Sequence, residues 1–277
     1  MTTVRPWRSG SDAAPPAVPR PPGRMAVWRA RRPLKRWRYV GVYTPDVLLC
    51  AGRVAIGGAP QCFWAVWDRR ARVLRERTLF LPARVTVDGA VRFAGRGVRC
   101  DLVLDPGGDV VEVVSPHGRS YIWTRKQPAR VHGTVEVDGR VLAVDGPALI
   151  DESAGYHARV TAWSWSAGAG TAADGRAVVW NLVAGVHDDP RASEQTLWLD
   201  GRASEPGPVR FEGLDAVVGA AGERLAFRAE AERARHDRLV LLDSAYRQPF
   251  GQFDGTLPGG VELAEAVGVM ERHDVRW

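Results

Sequence analysis

Apolar and polar residues alternate with a period of two over most of this chain, the pattern of strands that bury one face. From residue 37 the alternating runs cover 37–43, 47–56, 62–68, 84–87, 98–104, 110–114, 119–125 and 131–137. A second series covers 140–144, 156–166, 177–186, 194–199, 209–211, 225–235, 239–246 and 261–271. Asp-Gly pairs punctuate them at Asp88-Gly89, Asp138-Gly139, Asp145-Gly146, Asp174-Gly175 and Asp200-Gly201. Such pairs supply the positive φ angles of tight hairpin turns. TVEVDGRVLAV, two alternating runs around one Asp-Gly, is the clearest case. Residues 226–238 have helix-forming composition, yet Phe227, Ala229 and Ala231 alternate with Arg228, Glu230 and Glu232, which favours a strand. The whole predicts an all-β, antiparallel sandwich or barrel with little helix.

The stretch IDESAGYHARVTAWSWSAGAG, residues 150–170, stands out within this pattern. Read as one strand, it places His157, Arg159, Thr161, Trp163 and Trp165 on one face and Tyr156, Ala158, Val160, Ala162 and Ser164 on the other. A face with an imidazole, a guanidinium and two indoles is costly to bury without partners, and suits the wall of a ligand cavity. We therefore expect it to line the inside of a barrel. Residues 1–24 show no alternation and are rich in Pro and Arg, so a disordered tail is expected there. Pro128 interrupts the pattern near the middle. The expected division is an N-terminal β-barrel-like domain over 25–128 and a C-terminal β-barrel domain over 129–277.

Composition changes this picture in three places. No run of 18 apolar residues exists, so no transmembrane helix is expected, and the leading segment lacks the apolar core of a secretory signal. A bacterial, cytoplasmic location is the expectation. Cys50, Cys62 and Cys100 fit no zinc spacing and sit in apolar runs, so buried thiols outside any disulfide are expected. The formal charge of +6 is unevenly spread: residues 1–38 carry ten basic groups and one acid, a net +9, and the remainder is −3. The basic arm is either a solubilising tail or a contact for anionic surfaces; no nucleic-acid partner is expected. Phosphate-binding, dinucleotide-binding and kinase signatures are absent, as is G-x-S-x-G. The six histidines are scattered, so neither a metal nor a cofactor is expected.

Several segments resemble the family described as domain of unknown function 2804: RPLKRWRYVGVY (32–43), FWAVWDR (63–69), GYHARVTAWSWSAGAG (155–170), DGRAVVWNLVAGVHDD (174–189), SEQTLWLDG (193–201), YRQPFGQFDGTLPGG (246–260) and GVMERHDVRW (268–277). That family is distantly similar to lipocalin-like carotenoid hydratases, AttH-like proteins and tocopherol cyclases. The resemblance implies lipocalin-like, calycin-type β-barrels, two side by side. It implies no reaction, because fold does not carry chemistry.

The residues offer a site of their own. Asp151 at the mouth of a dry cavity would have a raised pKa and could donate a proton, with His157 as the other candidate acid. Trp163 and Trp165 would stabilise positive charge developing on an alkene. Tyr156, Arg159, Asn181, Arg247 and Gln248 complete the candidate ligand-binding set. Asn181 is placed across a hairpin from His157, and Arg247 would hold an acidic head group. The alternative for each is structural: a turn residue at Asp151, core at the tryptophans, a loop-tying arginine at Arg247. The functional expectation is a small hydrophobic, isoprenoid- or lipid-like ligand in a barrel cavity, with cofactor-free, acid-catalysed hydration, cyclisation or isomerisation. The alternative is a non-catalytic binding or interaction module.

Overall fold

In a computed structural model, which describes residues 4–80, 84–239 and 242–277, the chain is all-β and antiparallel, with no helix among those residues. Eleven strands form one sheet and nine form a second. Each sheet curls. In the first, Val85–Thr86 at one end lies against Val47–Ile56 and Ala59–Asp68 near the other. In the second, Val209–Glu212 at one end meets Ala177–Ala184. The architecture is the expected lipocalin-like one, two curled sheets side by side.

The hairpin chemistry behaves largely as its residues demand. Asp138 (φ 50°) and Gly139 (φ 83°) close the two-residue turn between Ser120–Val137 and Arg140–Gly155. Asp200 (φ 49°) and Gly201 (φ 79°) do the same between Thr196–Leu199 and Arg202–Ser204. Asp145-Gly146 is different: it lies inside Arg140–Gly155, paired with His132 and Val131. Arg224–Leu239 is a strand, in agreement with its alternation. The run expected over 239–246 includes residues 240 and 241, which lie outside the described residues, as do residues 1–3 of the tail.

Two boundaries fall elsewhere than expected. Ser120–Val137 runs unbroken through Pro128. Its neighbour on one side changes there: Val111 pairs with Lys126 and Pro106 with Ala129, so Pro128 sits in the gap and its missing N–H costs no ladder bond. The chain passes between sheets at residues 156–159, where strand structure stops between Arg140–Gly155 and Val160–Ala172. The leading segment is also tied down. Trp7 and Arg8 pair with Val114 and Val113. The Arg8 guanidinium donates to the Ser193 carbonyl (2.7 Å) and Thr196 Oγ1 (3.1 Å), joining the two halves.

Alternation produces three apolar layers. Val40, Leu49, Trp64, Leu102, Val131 and Ile150 fill the inside of the first curl, where Trp64 stacks on Phe93 at 4.9 Å. Trp180, Leu197, Phe227, Phe253 and Met270 fill the second. Residues of opposite parity, including Tyr39, Cys50, Leu149, Trp165, Phe250 and Val269, meet in a seam between the sheets. Cys50, Cys62 and Cys100 are buried and none forms a disulfide, as expected.

Gly168 and Gly268 face each other across adjacent strands of the second sheet. A Cβ on Gly168 would fall inside contact distance of the Trp180 ring and the Val267 carbonyl. Gly168→Ala is expected to lower stability by about 1–3 kcal/mol through overpacking, read as a fall in the urea midpoint with an unchanged slope.

Candidate functional site

The strand faces that do not fill the two curls enclose a chamber of about 200 Å³ between the sheets. A single water occupies roughly 10–15 Å³ by the same measure, so the space suits an organic molecule. Its aromatic wall comes from both sheets. Trp37 on Lys35–Tyr43 stacks on Trp163 of Val160–Ala172 at 6.4 Å and 15°. Tyr39 meets Trp165 edge-on at 5.5 Å. The Trp165 indole N–H donates to Asn181 Oδ1 (2.8 Å), and Asn181 Nδ2 donates to the Glu194 carbonyl (2.9 Å), so Asn181 locks the Trp165 ring.

Glu271 on Val261–Arg276 is the acid that faces this wall. Trp163 and Trp165 lie opposite His273 and Glu271 in the ladder. The Trp163 indole N–H donates to Glu271 Oε1 (2.8 Å), and Gln248 Nε2 donates to Oε2 (2.9 Å). Burial pushes the Glu271 carboxyl up to about 7; bonds from Trp163 and Tyr246 oppose the rise, and the nearby Asp151 charge adds to it.

A second polar group spans the seam. Lys126 Nζ lies 2.5 Å from Asp151 Oδ1, its cross-strand neighbour, and 3.4 Å from Glu194 Oε1 of the second half. Burial raises the Asp151 pKa above the ordinary carboxylate range, and Lys126 only partly offsets this. Burial pulls the Lys126 ammonium down, and its two carboxylates more than restore it. The imidazoles nearby are neutral at pH 7. Burial and Lys126 push His187 down to about 3, with its Nδ1 2.9 Å from Ser115 Oγ. Burial pushes His273 down to about 4, and its Nε2 lies 2.8 Å from Ser244 Oγ. Burial and Lys35 hold His157 well below the usual histidine value.

The expected site residues therefore divide. Asp151, His157, Trp163 and Trp165 all line the chamber, which lies between the curls and not inside one. Asn181 and Gln248 stand behind it as supports. Arg159 is exposed, because the presumed strand is broken at 156–159 and the alternation does not carry through. Tyr156 faces away: it packs on Tyr121 at 5.8 Å and its hydroxyl donates to the Ala26 carbonyl (2.7 Å). Arg247 also points outward, paired with Glu232 at 2.5 Å and 60% exposed. Glu271, Lys126, Glu194 and His187 were not legible as site residues. The signal for Glu271 was present in the alternation Glu271, His273, Val275, which needed only the ladder to Trp163 and Trp165 to be read.

Residues 83–277 match the family described as Domain of unknown function (DUF2804). The chain belongs to this family. No curated protein matches it. Among solved structures it is similar to a putative AttH from Nitrosomonas europaea, at 14% identity and a TM-score of 0.52, covering 92% of this chain and 98% of that one. It is also similar to kievitone hydratase from Nectria haematococca, at 11% identity and a TM-score of 0.52, covering 88% of each chain. At such identities these likenesses establish the fold. In this DUF2804 protein no three His, Cys, Asp or Glu side chains are grouped to hold a metal ion among the described residues. Among the described residues no helix is long and apolar enough to cross a membrane.

Two outcomes follow from the charge burial. Lys126→Met leaves Asp151 and Glu194 unpaired and is expected to cost about 3–5 kcal/mol; adding Asp151→Asn should recover part of the loss in denaturant titrations. The depressed histidines make the fold acid-sensitive. Below their ordinary value of about 6.5 the unfolded chain binds protons that folded His157, His187 and His273 refuse. Glu271, between about 4.5 and about 7, and the raised Asp151 oppose this, while His117, also pulled down by burial, adds to it. The thermal midpoint should fall as pH drops from 6.5 toward 4, and His187→Asn should flatten the slope.

Proposed function

We propose that this protein binds a small, largely apolar ligand in the chamber between its sheets, and that Glu271 in its acid form delivers a proton to it. The observation that carries this reading is a buried carboxyl, Glu271, held by Trp163 and Gln248 against an aromatic wall, where burial pushes it up to about 7. An acid poised near the working pH is both protonated and able to release its proton. Protonation of an alkene carbon forms a C–H bond and leaves a carbocation, which the faces of Trp37 and Trp163 would stabilise. In a hydration, water then adds to the cation and returns a proton to the Glu271 carboxylate. Loss of a neighbouring proton to the same carboxylate gives isomerisation; attack by an internal alkene closes a ring and moves the cation, which then loses a proton to that carboxylate to complete a cyclisation. No cofactor enters any of these routes.

Asp151 and His157 take different parts from Glu271. Asp151 is tied to Lys126, and its charge raises the Glu271 acid. His157 is neutral and offers a hydrogen bond, not a proton. The likeness to a hydratase fold agrees with this chemistry. The rival reading, a binder without turnover, is favoured by the occupation of both Glu271 oxygens by donors.

Glu271→Gln separates the two. The expected outcome is retained ligand uptake in native mass spectrometry with turnover lowered about 10²–10⁴-fold. In the unaltered protein kcat/KM should fall as pH rises through about 7, the value for Glu271. Uptake without turnover of any alkene, unchanged by Glu271→Gln, would establish the binder reading instead.

A further inference from the structure

Beside the chamber, one sheet face holds polar atoms that the protein leaves unanswered, and two of the residues that carry them, Thr124 and His157, line the chamber itself. His117 Nε2, Ser120 Oγ, Thr124 Oγ1, Ser153 Oγ and His157 Nδ1 are all buried without a hydrogen-bond partner among the described residues. Buried polar atoms in folded proteins are almost always paired, so isolated cases need an explanation and a cluster needs a common one. The register places these on one sheet face. His117 lies opposite Ser120, Thr124 opposite Ser153, and Ser153 opposite Trp37. Two residues along each strand, Gly155 lies opposite Lys35, with Ile122 packed against its Cα. The His157 ring stands at the edge of this patch, 5.0 Å from Trp37 and 5.9 Å from His117.

Lys35 supplies the charge. It is 1% exposed, and no carboxylate lies within ion-pair distance of it among the described residues. Its ammonium sits 4.4 Å from the Trp277 ring centroid, and Trp277 and His157 both line the chamber. A buried cation without an anion is costly. The surrounding charges make matters worse, since Arg32 is also cationic; burial and Arg32 together pull Lys35 down to about 8. Every group in the patch can donate a hydrogen bond, through hydroxyl, imidazole or ammonium. Donors converging around one cation recognise an oxyanion, and one cation balances one negative charge.

We infer that this patch seats a carboxylate, so that the ligand is an apolar acid with its anionic end at Lys35 and His157 and its body running along Trp37 and Trp163 toward Glu271. The inference rests on the reading that the chamber holds a ligand, and it names that ligand's class. The path is continuous: His157 touches Trp37, Trp37 stacks on Trp163, and Trp163 donates to Glu271. An anion fixed at one end would set which carbon of the body meets the Glu271 proton.

The test compares decanoate, decanol and decyl phosphate against the full-length protein by isothermal titration calorimetry at pH 7. Decanoate is expected to bind at least about tenfold more tightly than decanol, the range of a charge-assisted hydrogen bond. Lys35→Met should abolish that preference by weakening decanoate alone, whereas Glu271→Gln should preserve it. Equal affinity for decanoate and decanol would overturn the carboxylate seat while leaving the chamber as a ligand site. Tighter binding of decyl phosphate would overturn the assignment of a monoanion. No binding of any of the three would overturn both readings. If Lys35→Met does not fold, His157→Asn reads the same preference, and the ratio measured in the unaltered protein decides by itself.

Discussion

The ammonium of Lys126 joins carboxylates from both halves of the molecule, and the seam between the sheets depends on that contact. Asp151 is its neighbour in the first sheet and Glu194 comes from the second half. Removing each such ion from water costs several kcal/mol, so the two sheets can close on this line only if the charges meet. Arg8 reinforces the closure beside it, reaching Ser193 and Thr196 from a strand laid on the first sheet. The dryness these contacts permit then sets the chemistry nearby. The same desolvation lifts Glu271 and depresses His157, His187 and His273.

The position of the chamber follows from how the large apolar side chains are divided. Trp64 and Phe93 stack inside the first curl, and Trp180 and Phe253 meet edge-on inside the second. Those interiors are packed with apolar side chains, and the chamber lies outside them. The strand faces of opposite parity carry Trp37, Tyr39, Trp163 and Trp165 together with the buried charges, and these cannot close-pack as aliphatic side chains do. A cavity is left where the two such faces meet. The fold is thus shared with other lipocalin-like proteins, while the chamber belongs to the joint between two curled sheets.

The strand content was legible because period-two alternation and Asp-Gly turns are local signals. Asp138-Gly139 and Asp200-Gly201 each made the turn their φ angles favour. Alternation misled where it continued across a corner. Residues 150–170 read as one strand, yet residues 156–159 carry the chain from one sheet to the next, so Tyr156 and Arg159 left the face assigned to them. Pro128 misled in the opposite direction, because a gap between neighbouring strands accommodates its missing N–H. Asp151, His157, Trp163 and Trp165 were legible as a group because four unusual residues crowd one segment, and all four line the chamber. Glu271 was not, because its meaning lies in a partner 108 residues away in sequence, the indole of Trp163. Lys126 and Glu194 share that difficulty: a charge in an alternating run looks solvated until its non-local partner is known.

Asp151 and Glu271 are both displaced toward the protonated form, and they raise one another only as far as each remains charged. The Lys126 ammonium opposes that displacement at Asp151, and the bonds from Trp163 and Tyr246 oppose it at Glu271. An apolar ligand lying along Trp37 and Trp163 would close the chamber side of the Glu271 carboxyl to water. That further desolvation disfavours the carboxylate and lifts its pKa again. The acid form would then be more fully populated with ligand bound than without, so occupancy of the aromatic wall itself would prepare the donor. A polar ligand of the same size would not, because it brings its own solvation to the carboxyl. In this arrangement the preference for an apolar body and the readiness of the acid have one physical origin, the exclusion of water from the seam that Lys126 holds closed.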